Sequence, residues 1–78
     1  MQYNPFITRR IIQKIREQRG LTQEVLSGLA AISRSHLAEI ETGHTNANVV
    51  TLWKISEALN MKMNELIRLV EQTIEREG

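Results

Sequence analysis

Residues 22–43, TQEVLSGLAAISRSHLAEIETG, contain two short helix signals separated by only a few residues. Apolar or small side chains recur at the spacing that holds two crossed helices together from beneath, namely Leu26, Ala30, Ile32, Leu37 and Ile40. The second helix opens with Ser33, Arg34 and Ser35 on the face that this pattern leaves exposed. The layout is typical of a helix-turn-helix, in which the second helix is free to touch a ligand.

The size and composition of the chain restrict its functions. The 78 residues predict one domain over residues 1–78, near the lower size limit for a fold held by its apolar core alone. There is no cysteine, and the two histidines, His36 and His44, are too few and too poorly spaced for a zinc site without carboxylate help. We therefore expect no metal, no cofactor and two surface histidines.

Hydropathy and charge restrict the cellular location of the protein and the classes of partner that it can bind. No apolar run approaches the ~20 residues that cross a bilayer, and residues 1–10, MQYNPFITRR, lack the apolar stretch of a secretory signal. We expect a cytoplasmic protein without membrane contact. Residues 1–44 carry six Lys or Arg against four Glu, and residues 45–78 carry four against five. This asymmetry agrees with nucleic-acid binding by the N-terminal part, although the net charge of +1 does not establish it.

Apolar residues recur every three or four positions, and the chain has one proline and four glycines, which predicts an all-α fold of five helices. The first helix is expected over about residues 8–19, followed by Gly20 as a left-handed stop. The second is expected over residues 23–29, with Thr22 as its N-cap.

The third helix is expected to begin behind Ser33, whose hydroxyl can accept from the free amides of the first turn, and to end at Gly43. Asn48 is a suitable N-cap for the fourth helix, and Asn60 a suitable left-handed stop. The inward stripe of the fourth helix is predicted to be apolar: Val49, Leu52, Ile55 and Leu59. Trp53 falls off this stripe and is expected to edge the core, with a dimer contact as the alternative.

The fifth helix, over about residues 63–75, has two apolar rows, one of Met63, Ile67, Val70 and Ile74 and one of Leu66 and Leu69. A monomer of this size needs one row, and each buried apolar side chain contributes roughly 1.5 to 3 kcal/mol. We therefore predict a homodimer whose interface contains Met63, Leu66, Ile67, Val70 and Ile74. The alternative is that both rows wrap the core of the same chain.

Four short motifs occur in order: Leu21-Thr22-Gln23, Ser33-Arg34-Ser35, Ile40-Glu41-x-Gly43 and Thr51-Leu52-x-Lys54-Ile55. Through them the chain resembles the Xre family of phage-repressor-like helix-turn-helix regulators, over roughly residues 8–68. The resemblance implies a compact five-helix, lambda-repressor-like domain that docks its third helix in the DNA major groove and binds operators as a dimer. In length and in its extended fifth helix the chain is similar to the controller proteins of restriction-modification operons, an outline shared by excised prophage repressors and some antitoxins.

The resemblance also implies roles for particular residues. Arg16 of the first helix matches the arginine that pairs with a glutamate near the end of the recognition helix, here Glu41. Gln23 matches the glutamine that contacts a phosphate at the start of the second helix.

The chain departs from the family pattern in the second helix and the turn that follows. Ala31 occupies the turn position where the family has glycine, and Gly28 lies within the second helix. Val25 occupies the position where the capping box has glutamate. We therefore expect the second helix to be a soft spot.

Helical periodicity places the residues of the third helix that face DNA. Arg34, Ser35, Ala38 and Glu39 project from one side, and Arg34 is the strongest base-reading candidate because its fork can donate two bonds to guanine. The alternative for Arg34 is a solvated or phosphate-bound side chain. In addition to Gln23, five residues are predicted to contact the sugar-phosphate backbone of DNA: Ser33, His36, His44, Thr45 and Asn46. The cations of the first helix, Arg9, Arg10, Lys14 and Arg19, are interpreted as a solvated face from which one or two could reach flanking phosphates.

Three classes of function compete at this point. A sequence-specific transcription factor acting on double-stranded DNA is favoured, with no small-molecule inducer expected. An antitoxin or adaptor that binds another protein is the alternative, suggested by the apolar surplus of the fifth helix and the low net charge. An enzyme is least supported, because the chain has no Asp, no Cys and no Gly-rich phosphate loop.

Overall fold

The computed structural model of the chain describes residues 5–77, so residues 1–4 and 78 of the predicted domain lie outside the description. Five α-helices follow one another: α1 (Pro5–Gln18), α2 (Gln23–Leu29), α3 (Arg34–Thr42), α4 (Val49–Ala58) and α5 (Met63–Glu77). The predicted all-α, five-helix fold is confirmed. Helix α3 packs on α1 and α2, α4 packs on α2, and α5 closes the bundle against α1 and α4. Among the described residues no helix is long and apolar enough to cross a membrane.

Three helices begin at polar residues whose side chains cap them. Each cap has an extended backbone and accepts a hydrogen bond from the backbone N–H three residues later. The pairs are Thr22 with Val25 at 3.1 Å, Ser33 with His36 at 3.0 Å, and Asn48 with Thr51 at 2.8 Å. Such a cap is worth about 1 kcal/mol, and the predicted starts of α2, α3 and α4 are confirmed.

Left-handed residues end the helices where the sequence predicted them. The φ angles of Gly20, Gly43 and Asn60 are +69°, +85° and +60°. Ala31, in the turn between α2 and α3, has a φ of +57°, although it has a Cβ. A non-glycine residue in this conformation costs roughly 1–2 kcal/mol, so the turn is strained.

The bounds of the outer helices differ from the prediction. Helix α1 begins at Pro5 rather than near Thr8, because a proline in the first helical turn needs no N–H donor and has a suitable φ. The added turn brings Ile7 into the core. Helix α5 continues to Glu77, two residues beyond the predicted end.

One core contains apolar residues from all five helices. Its buried members are Ile7, Ile11, Ile12, Ile15, Leu26, Ala30, Leu37, Ile40, Leu52, Ile55, Leu59, Leu66, Val70 and Ile74. The prediction that Val49 faces inward is wrong, since Val49 is 69% exposed. Burial in α4 begins only at Thr51 and Leu52, so the first turn of this helix projects past the core.

Helix α5 divides its apolar residues differently from the two predicted rows. Leu66, Val70 and Ile74, expected at a dimer interface, face the chain's own core. They form a row because four-residue steps return to the same side of a helix. Ile67 and Leu69 are exposed and Met63 is half-buried, so these side chains keep surface for a partner.

Candidate nucleic-acid interface

The first turns of α3 present the predicted base-reading residues on one side of the helix. Arg34, Ser35 and Glu39 are exposed, and Ala38 between them is half-buried. The opposite side carries Leu37, which is fully buried, as well as Ile40 and Glu41. Helix α3 is therefore fixed from behind while its N-terminal turn remains open to a ligand.

A buried ion pair holds the rear of α3. The guanidinium of Arg16 donates through Nε to Oε2 of Glu41 at 2.8 Å and through Nη2 to Oε1 at 2.9 Å. Its Nη1 donates to the carbonyl of Leu21 at 2.8 Å, just before α2. The hydrogen bond from Arg16 to Glu41 raises the pKa of the Arg16 guanidinium, against the opposing effect of burial, so Arg16 stays charged. One arginine thus ties α1, the start of α2 and α3 together.

Gln23, expected to contact a phosphate, belongs to the same network. Its Nε2 donates to Oε1 of Glu41 at 3.0 Å, so one oxygen of the carboxylate accepts from both Arg16 and Gln23. An amide nitrogen has two N–H donors, and this bond uses one. The bond between Gln23 and Glu41 orients the amide at the N-terminus of α2, a contact that the sequence reasoning missed.

The other residues assigned to the DNA backbone lie at the two ends of α3. Ser33 and His36 are at its N-terminus, where the Ser33 hydroxyl is engaged in the cap. His44, Thr45 and Asn46 follow its C-terminus, where the backbone amides of His44 and Thr45 donate to the carbonyl of Glu39 at 2.9 and 3.3 Å.

Thr42, which the sequence reasoning passed over, connects α3 to this loop. Its hydroxyl donates to the carbonyl of Ala38 at 2.9 Å and lies 2.8 Å from Nδ1 of His44. The Thr42 side chain therefore fixes the imidazole of His44 beside the last turn of α3. The periodicity of α3 could have found it, because Thr42 lies four residues after Ala38 on the same side of the helix.

A second surface lies on the α4–α5 side of the molecule. A groove of about 960 Å³ is lined by Trp53, Met61, Met63 and Ile67 together with the polar residues of the α4–α5 connection. Trp53 is 54% exposed, so it contributes to this surface rather than to the edge of the core. We call Trp53, Met61, Met63 and Ile67 the apolar groove.

The fold and the exposed N-terminus of α3 define the class of protein, a DNA-binding helix-turn-helix domain. Residues 12–66 match the helix-turn-helix family HTH_3, and the chain belongs to this family. The resemblance to Xre-type regulators is thereby confirmed.

Characterised and uncharacterised relatives agree with this class. The chain is 32% identical over 60 residues to an uncharacterised HTH-type transcriptional regulator, y4dJ of Sinorhizobium fredii, covering 77% of this chain and 78% of that protein. It is 36% identical over 66 residues to the immunity repressor protein of Bacillus phage phi105, covering 85% of this chain but 44% of the repressor. The chain is therefore a DNA-binding transcriptional regulator.

Solved structures of the same shape include two controller proteins. The restriction-modification controller protein C.AhdI from Aeromonas hydrophila superposes with a TM-score of 0.75 at 29% identity, covering 80% of this chain and 94% of that chain. The controller protein C.Esp1396I superposes with a TM-score of 0.88 over 97% of this chain and 99% of that chain. Its identity of 22% supports the fold alone.

Proposed function

We propose that this regulator binds a near-palindromic operator as a homodimer and places the N-terminal half of α3 in the major groove. The observation that carries the proposal is the division of α3 into two sides. Arg34 and Ser35 stand exposed on the N-terminal turn, while Leu37 and Glu41 anchor the helix from behind. A helix anchored in this way keeps its orientation as it enters the DNA major groove, and base reading requires that orientation.

Each exposed residue of α3 has a chemistry suited to a base edge. The Arg34 fork matches the O6 and N7 acceptors of guanine, and a bidentate pair of this kind discriminates by about 1–3 kcal/mol. Ser35 can bond to several bases, Ala38 offers a methyl to thymine, and Glu39 can accept from the amino group of cytosine. Arg34 therefore carries the largest share of the proposed specificity.

The proposed backbone contacts flank this helix on both sides. Gln23, oriented by Glu41 at 3.0 Å, meets a phosphate at the N-terminus of α2. Ser33 and His36 lie at the N-terminus of α3, and His44, Thr45 and Asn46 follow α3 at its other end. These contacts set the register of the domain on the duplex without reading sequence.

The apolar groove supports the homodimer. With Leu66, Val70 and Ile74 in the core, Met63 and Ile67 remain from the predicted interface, and Trp53 joins them as the proposed contact with a second copy. A two-fold axis through this surface makes the contact isologous, and the proposal requires both α3 helices to meet one face of the duplex. Successive major grooves lie about 34 Å apart, so the half-sites should repeat at that distance.

Selection of bound duplexes from a random pool, at one stated salt concentration, tests the proposal. The chain should enrich a near-palindrome, and an Arg34→Ala variant should lose preference at one guanine per half-site while keeping salt-sensitive general binding. Arg68→Ala, at an exposed arginine on α5, is the matched control and should enrich the same sequence as the unmodified chain. If Arg34→Ala selects that sequence equally well, Arg34 does not read the operator.

A second candidate, an antitoxin or adaptor, is favoured by the same groove if a different protein covers it. The two functions predict different masses for the purified protein in solution, because only the first requires a homodimer. A stable homodimer in light scattering, reduced to a monomer by Trp53→Ser, assigns the groove to self-association. A monomer that still binds DNA selectively favours the adaptor. The 29% identity to C.AhdI supports a controller-type regulator over this alternative.

A further inference from the structure

We propose that Arg9, together with Thr45 and Asn46, forms a phosphate-binding site for duplex DNA beside the C-terminus of α3. This site lies at the opposite end of α3 from the cap at Ser33. The inference rests on the proposed DNA binding and adds a cation on α1 to a set of backbone contacts that otherwise come from neutral side chains and histidines.

The position of the Arg9 guanidinium is fixed from two directions. Its Cζ lies 4.1 Å from the centroid of the Phe6 ring, within the range of a cation–π contact. Its Nη1 donates to the backbone carbonyl of Glu41 at 3.4 Å, across 32 residues of sequence. A guanidinium carries five N–H donors in a planar fork, so one long bond leaves the group chemically able to bind a phosphate.

The surroundings of Arg9 suit an anion. The guanidinium borders a groove of about 450 Å³ between the first turns of α1 and the segment that follows α3. The same groove is lined by the polar residues Thr8, Thr42, Thr45 and Asn46. The described residues that line this groove include no carboxylate, because the Glu41 side chain is engaged by Arg16 and Gln23. A cation among hydroxyl and amide groups is the arrangement that phosphate oxygens need.

Gly43 makes this arrangement possible. A Cβ at Gly43 would lie 2.5 Å from Nη1 and 2.8 Å from Cζ of Arg9, so a side chain there would displace the guanidinium. The φ of +85° at Gly43 favours glycine as well. The residue that ends α3 therefore also admits the Arg9 side chain to the rim of the groove.

The competing role for Arg9 is purely structural, since a cation near the last carbonyls of a helix stabilises that helix. The two roles differ in their dependence on salt. Each neutralised phosphate adds about 0.9 to the slope of log affinity against log salt concentration, whereas a structural cap leaves that slope unchanged.

The experiment measures binding of a fluorescein-labelled duplex by anisotropy between about 50 and 200 mM salt. Arg9→Gln, which removes the charge, should lower the slope by about one and weaken binding about tenfold at about 0.1 M salt, with base preference retained. Arg9→Lys should keep the slope of the unmodified chain. Arg68→Gln, on α5, is the control and should change neither quantity.

The outcomes separate this inference from the proposed function. If Arg9→Gln keeps the full slope, or if Arg9→Lys loses as much slope as Arg9→Gln, Arg9 does not bind a phosphate, and the DNA-binding proposal stands. Thermal unfolding of each variant, followed by circular dichroism, identifies a purely structural role as lower stability with an unchanged slope. If the unmodified chain shows no salt-sensitive duplex binding, the proposed function itself is wrong.

Discussion

The α1–α3 half and the α4–α5 half of this molecule share one apolar core but differ in the bonds added to it. In the first, directional bonds converge on Glu41, from Arg16 and Gln23 to its carboxylate and from Arg9 to its carbonyl. In the second, packing of Ile55, Leu59 and Leu66 joins the helices, and Trp53 and Ile67 line the apolar groove beside them.

The difference between the two halves matches what the proposed function requires of each. Apolar packing is non-directional, so it can hold two helices together without defining the rotation of either one. Hydrogen bonds with fixed geometry define that rotation, and the proposed base reading depends on the rotation of α3. The α4–α5 half has a different requirement in the proposed dimer, because association depends on apolar area that excludes water.

Removal of the shared acceptor should produce the largest effect. Glu41→Ala removes a carboxylate that is only 2% exposed, and it leaves Nε and Nη2 of Arg16 and the Gln23 amide without their acceptor. The loss should lower the free energy of unfolding by about 3–5 kcal/mol. Urea unfolding followed by circular dichroism measures this loss. Glu39→Ala, two residues away and exposed, should change stability by less than about 0.5 kcal/mol. Similar losses for both variants would mean that the network does not hold α3.

A smaller effect, on association rather than on folding, is expected in the other half. Trp53→Ser should weaken the homodimer by about 2 kcal/mol, or roughly thirtyfold, because a large aromatic side chain leaves the proposed interface. Monomer stability should change little, since Trp53 is more than half exposed. Sedimentation equilibrium across a dilution series gives the dimer dissociation constants of the unmodified chain and of the variant. Leu29→Ser, at an exposed apolar residue of α2, should leave the dimer intact, and a dimer unaffected by Trp53→Ser would place the interface elsewhere.

The smallest effect is expected in the turn between α2 and α3. Ala31→Gly removes the Cβ from a residue with a φ of +57°, and the relief should exceed the entropy cost of glycine by about 0.5–1 kcal/mol. The same change at Ala38, within α3, should destabilise by about 0.5–1 kcal/mol. Thermal unfolding of the two variants compares them directly, and a decrease in stability at both positions would show that Ala31 is not strained.

Local signals in the sequence were sufficient for the helix-turn-helix itself. The caps at Thr22 and Ser33 and the stop at Gly43 act within four residues of their own position, so the bounds of α2 and α3 could be predicted. The exposed side of α3 followed from periodicity in the same way.

What could not be predicted depends on contacts between distant residues. The exposure of Val49 and the inward row of α5 are set by where neighbouring helices end and pack, which periodicity alone does not reveal. The bonds from Gln23 and Arg9 to Glu41 span 18 and 32 residues, and a single sequence carries no signal of either bond.

The solitary tryptophan gives the chain an internal optical reporter. Indole emission depends on contact with water, and Trp53 stands exposed in a groove that no residue of α3 lines. When only the indole is excited, the protein's emission therefore comes from one known place on the molecule. The proposed assembly and the proposed operator binding become separately observable in one cuvette, the first from the native fluorophore and the second from a label on the duplex.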